Sequence, residues 1–204
     1  MNSWSMILGL APWFVFAWVA ERLGPDHVTE AALAACVVAL ALAVYGRFHG
    51  GWKILDLSGA GLFGVIGVIG AVGGPSVDHA LVFFGRGGSA YILAAIMAIS
   101  ALTVPFTEQY ARADVDPSLW HSPIFRMKNR QISFVWALAV ALMGCCHTVA
   151  GILASTAGTA GSHPLLVLLN WVAPIALIVF AIKRTKAIAD APAHPGPNRT
   201  AGAR

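Results

Sequence analysis

Two stretches of the chain hold side chains whose types and spacing could do chemistry. The first runs from residue 105 to 130 and reads Pro-Phe-Thr-Glu-Gln-Tyr-Ala-Arg-Ala-Asp-Val-Asp-Pro-Ser-Leu-Trp-His-Ser-Pro-Ile-Phe-Arg-Met-Lys-Asn-Arg. Thr107, Glu108, Gln109, Tyr110 and Arg112 crowd its start, and Trp120, Asn129 and Arg130 follow. If a helix continues through the first group, Glu108 and Arg112 form an i,i+4 pair on one face. Arginine and amide donors are suited to carboxylate or phosphate oxygens, so these residues are the expected cytoplasmic-side polar site for an anionic headgroup. A plainer reading stands beside it: an interfacial connection with basic residues for topology, Trp120 and Phe125 as anchors, and prolines shaping turns.

The second stretch is Cys145-Cys146-His147. Thiolates and imidazole are ligands for zinc or copper. Successive residues on a helix point about 100° apart, so these three cannot converge on one ion, and further ligands would have to come from Cys36 or His163. No metal and no cofactor is expected. His147 is retained as an intramembrane candidate, because an ionisable group at such depth is costly unless it serves a purpose. Thr103, Thr148, Ser155 and Asn170 read as packing residues that satisfy themselves against their own backbone or a neighbour. The chain has nine acidic residues, and its Ser, His and Asp residues show no triad spacing, so no catalytic residue is assigned.

Such side chains need elements to hold them, and the composition says which kind. Of 204 residues, 58% are hydrophobic and 11% charged, against about 25% charged in a soluble domain. A surface so poor in charge must be covered by lipid. Six apolar stretches approach the roughly 20 residues needed to cross a bilayer: 4–20, 29–46, 57–73, 89–106, 132–153 and 165–182. Lipid offers the backbone no partners, so these are helices. The fold expected is an all-α polytopic bundle of about six transmembrane helices, spanning residues 1–186. The first stretch lacks the basic start of a secretory signal, since no Lys or Arg precedes Arg22, and is read as a retained span.

In the third stretch Gly61, Gly64, Gly67, Gly70 and Gly73 recur every three positions, a spacing that drifts around a helix and serves close approach to several neighbours. Gly59, Gly61 and Gly64 also spell Gly-x-Gly-x-x-Gly, but without a preceding strand this is no nucleotide site. Residues 80–84 are too few to span and are expected to be interfacial or re-entrant, with Gly85-Arg86-Gly87-Gly88 turning the chain into the fourth span.

Basic residues set the orientation. Arg47 and Lys53 flank the second loop, Arg112, Arg126, Lys128 and Arg130 fill the fourth, and Lys183, Arg184 and Lys186 open the tail. The alternating loops are poor in Lys and Arg, which places both termini in the cytoplasm. The +4 formal charge is therefore topological, and nucleic acid is not an expected partner. Residues 187–204, rich in Pro and Gly, are expected to be a disordered cytoplasmic tail. Asn198-Arg199-Thr200 matches a glycosylation pattern but lies on the wrong side for it.

Pro105-Phe106-Thr107-Glu108-Gln109-Tyr110-Ala111-Arg112, then Trp120, Pro123, Phe125, Asn129, Ile132 and Trp136, resembles the signature of an uncharacterised family of small bacterial multi-pass membrane proteins. The likeness covers about a third of the chain. It implies a bacterial cytoplasmic-membrane protein and carries no activity with it. With no catalytic constellation and few polar residues along any path, a non-catalytic protein binding membrane lipid, a protein partner or a second copy is expected. The alternatives are a small transporter or channel for a neutral or amphipathic solute, and then a membrane enzyme.

Overall fold

A computed structural model describes residues 3–24, 27–157 and 163–192. Among these residues every regular element is helical. In chain order they are α1 (Ser3–Leu8), α2 (Ala11–Leu23), α3 (Val28–His49), α4 (Ile54–Gly73), α5 (Pro75–Leu102), α6 (Glu108–Ala111), α7 (Pro123–Ala157), α8 (Pro164–Val167) and α9 (Ala173–Asp190). A π-turn, Leu168–Val172, joins α8 to α9 without interrupting the path. The protein is an all-α, multi-pass membrane bundle: five of its helical stretches are long and apolar enough to cross a bilayer. Large apolar side chains cover the outside, among them Val37 at 64% and Val72 at 80% exposure, as a lipid-facing surface requires.

The first span is broken rather than continuous. Pro12 has no N–H, and its ring clashes with the carbonyl four residues back, at Leu8. Gly9 adds little helical preference. The chain therefore kinks at Gly9 and Leu10, leaving α1 and α2 each too short to span alone.

The opposite correction applies to residues 80–88. Neither an interfacial segment nor a Gly-rich turn forms there, and all nine residues belong to the 28-residue α5. The turn lies earlier, at Gly74, whose φ of 71° suits glycine. Inside a membrane bundle a helix keeps every amide bonded, so glycines that would break it in water are tolerated. They also let α5 and α7 approach closely. A Cβ on Gly151 would collide with the Phe83 carbonyl, and one on Gly87 would lie 3.3 Å from the Gly144 carbonyl. Among the α4 glycines, Gly67 and Gly70 do admit α3 through Leu33 and Thr29, whereas Gly61 faces open space.

The fourth span ends at Leu102, short of its expected limit, because Val104-Pro105 cannot stay helical. At the other end of the chain α9 runs to Asp190, so residues 187–190 are helical rather than part of a disordered tail. Lys128 Nζ donates to the carbonyls of Ala189 and Ala191 at 2.7 Å each and closes that helix end. Residues 193–204, with the Asn198 motif, lie outside the described residues.

Candidate functional site

The polar loop after α5 folds into a compact latch. Thr107, Glu108, Tyr110 and Asn129 are all 3% exposed or less. Thr107 Oγ1 donates to the Asn129 carbonyl at 2.9 Å and lies 3.0 Å from Ser133 Oγ. Gln109 Oε1 accepts the backbone N–H of Ile54 at 2.9 Å, satisfying one of the open donors at the start of α4. The Glu108–Arg112 pair forms across one turn at 3.4 Å, with Arg126 Nε 3.9 Å from the other carboxylate oxygen. Arg112 lies over the Trp120 ring at 5.3 Å. Arg130 is exposed and turns instead to Phe134, 5.9 Å away.

Asp56, unremarked in the sequence, joins this latch from the first turn of α4 and is 2% exposed. Its Oδ1 and the Tyr110 hydroxyl both face Gly9 at the α1–α2 break: a Cβ there would lie 3.5 Å and 2.7 Å from them. Burial pushes the Tyr110 phenol well above its ordinary value, and the Asp56 carboxylate adds to the shift. Further along, the Ser118 hydroxyl and then its backbone N–H hold the Asp116 carboxyl below the usual range.

A different arrangement surrounds His147. Its Nδ1–H donates to Asn170 Oδ1 at 3.0 Å, so Asn170 satisfies itself against a neighbouring helix. The π-turn that carries Asn170 and Trp171 has a local cause. Pro174 lacks the N–H that would reach the Asn170 carbonyl and clashes with it, so the preceding turn widens. Such single π-turns recur at functional sites. Cys145 faces the other way and accepts from the Tyr91 hydroxyl at 3.3 Å. The Cys145, Cys146 and His147 side chains thus diverge around α7, and no group of three metal-ligating residues gathers among the described residues.

Arg86 reaches the same place from α5. Its Nη2 donates to the Ala17 carbonyl and to Glu21 Oε2 at 3.0 Å. The Glu21 oxygen also accepts from Trp171 Nε1 at 2.9 Å, and the guanidinium lies 5.6 Å from the Trp171 ring. Arg86, His147, Asn170, Trp171 and Phe16 form the shared wall of two adjoining cavities. One, about 250 Å³, is bounded by Glu21, Gly24, Val28, Leu81, Val82 and Gly151. The other, about 70 Å³, continues between Leu10, Leu93, Val140 and Ile178. A polar waist thus joins two chambers with chiefly apolar walls.

Compared with protein-family models, curated proteins and solved structures, the chain matches none. The function must therefore be argued from this geometry.

The residues expected from sequence divide accordingly. Thr107, Glu108, Tyr110 and Asn129 come together as interior side chains of the latch, with Gln109, Arg112 and Trp120 around them, while Arg130 stands apart. His147 alone lies on the cavities. Sequence reasoning missed Glu21, Arg86 and Trp171. The available signal was Arg86 itself: placing residues 80–88 in a turn hid an arginine that belongs to a spanning helix.

Proposed function

We propose that this is a non-catalytic protein of the bacterial cytoplasmic membrane, with both termini in the cytoplasm, that binds a lipid or similar amphiphile. One observation carries the reading: the paired cavities offer long apolar walls and a single polar waist, the division of surface an amphiphile itself presents. The location and orientation rest on the alternation of basic loops, which persists when α1 and α2 together count as one crossing. The family resemblance of the loop points the same way. To test the reading, the protein would be purified gently from bacterial membranes and its bound lipids extracted and identified. Reproducible enrichment of one amphiphile over the bulk membrane is expected, and a co-purified pool matching bulk composition would overturn it. Reporter fusions at residues 24, 74 and 190 check the orientation, with only the last expected in the cytoplasm.

A second reading, passage of an amphipathic solute, is favoured by the broken helices beside the cavities. The α1–α2 break and the π-turn both flank the chambers, and interrupted helices line substrate sites in many transporters. Solute flux in proteoliposomes would distinguish transport from binding.

A further inference from the structure

An arginine within a spanning helix is costly and needs an anion. Here that anion is Glu21, yet the two partners are held very differently. The Arg86 side chain is 16% exposed and the Glu21 side chain 44%. An exposed carboxylate of this kind contributes little to such a pair and is readily released. The Arg86 guanidinium is fixed from two further sides, by the Ala17 carbonyl and the Trp171 ring. The same Nη2 makes both guanidinium bonds, and no other hydrogen bond from the guanidinium runs to a described residue. A guanidinium has five N–H donors, so Arg86 has capacity to spare on the cavity wall. Trp171 Nε1 is a further donor aimed at the position Glu21 Oε2 now holds.

We infer that the larger cavity binds an amphiphile with a single anionic headgroup, a carboxylate or a phosphate, which replaces Glu21 on Arg86 and Trp171. This rests on the amphiphile-binding reading above and adds the charge of the ligand and the residue it displaces. The headgroup would take both N–H donors, as planar guanidinium and indole groups allow, while its chain lies along Leu81, Val82 and Val28. Glu21 then swings to the aqueous side, where its exposure lets it remain solvated. Glu21 is thus a built-in placeholder that keeps the intramembrane arginine paired when the cavity holds no ligand.

The test uses full-length protein, delipidated in a nonionic detergent, with bound probe counted by native mass spectrometry. The probes are oleate, phosphatidylglycerol, methyl oleate as the uncharged match, and inorganic phosphate as the anion without a chain. Oleate or phosphatidylglycerol should bind at least tenfold more tightly than methyl oleate, and inorganic phosphate should not register. Arg86→Gln should weaken binding of the charged probe about a hundredfold, as loss of one member of a buried charged contact does. Glu21→Gln should tighten it about fivefold by removing the competitor. Should Arg86→Gln fail to fold, Glu21→Gln and the probe selectivity still decide the matter. Equal binding of oleate and methyl oleate would overturn the anionic headgroup while leaving amphiphile binding intact. Weaker binding in Glu21→Gln would show the pair to be a structural brace, and tight binding of free phosphate would overturn the need for a chain. If no probe binds at all, both readings fall together.

Discussion

The latch after α5 and the waist around Arg86 are both polar clusters in an apolar protein, but one is filled and the other hollow. In the latch, Thr107, Glu108, Tyr110 and Asn129 are buried, with Thr107 bonded to the Asn129 carbonyl and Gln109 to the start of α4, while Glu108 Oε1, the Tyr110 hydroxyl and Asn129 Oδ1 meet no hydrogen-bond partner among the described residues. At the waist, Arg86, His147, Asn170 and Trp171 meet edge-on around cavities of about 250 and 70 Å³. Buried polar groups bonded to backbone tie elements together, whereas polar groups bordering a cavity have somewhere to place a ligand. The residues richest in recognisable chemistry lie buried in the latch, and residues that look incidental line the two cavities.

That contrast can be broken at several points. The largest effect on stability is expected at the α5–α7 crossing, where Gly151→Val would force a branched side chain against the Phe83 carbonyl. Overpacking of this kind costs about 1–3 kcal/mol or more, and denaturant unfolding in mixed micelles should show the protein largely unfolded where the wild type is native. Next comes Thr107→Val in the latch, which removes a hydroxyl bonded to the Asn129 carbonyl. It should lower stability by about 1–3 kcal/mol while leaving amphiphile binding per folded molecule unchanged; a parallel loss of binding would join the two regions into one site.

His147→Leu should behave in the opposite sense. Transmembrane hydrogen bonds such as the one to Asn170 contribute about 0.6 kcal/mol on average, so unfolding should shift little, while binding should change several-fold because a wall residue is replaced. The smallest effect concerns Asp116. Its carboxyl sits below the ordinary range in the folded loop, so its contribution is fully present above about pH 4 and is lost only as the pH falls through the lowered folded value. Limited proteolysis of the loop should stay flat from pH 7 to about 4 and accelerate below it. In Asp116→Asn the acid-side step should vanish.

Much of this architecture is legible in the sequence because lipid imposes simple rules. Apolar runs must be helices, and the apolar stretches of α3, α4, α7 and α8–α9 fall where hydropathy places them, although α7 starts nine residues before its expected limit and α9 ends eight residues after its own. Local stereochemistry is harder to read. Whether a proline such as Pro12 bends or breaks a span depends on the residues around it, here Gly9. The glycines of residues 85–88 look like a turn only if water is the reference; in the bundle Gly87 is a point where α5 meets α7, Gly85 faces Phe16 of α2, and Gly88 faces open space. That misplacement concealed Arg86, and with it the partnership of Glu21 with Arg86 across 65 residues and with Trp171 across 150. Contacts so distant leave no periodic trace in the chain. The Glu108–Arg112 pair was legible because an i,i+4 spacing depends on local geometry alone.

The central claim is that the hollow waist, and not the filled latch, holds the ligand. Native mass spectrometry of protein released gently from membranes tests it most directly, comparing the wild type with Arg86→Gln and Arg112→Ala. A bound amphiphile present in the wild type and in Arg112→Ala but missing from Arg86→Gln is the result predicted. Retention in Arg86→Gln with loss in Arg112→Ala would contradict it and return the site to the cytoplasmic loop.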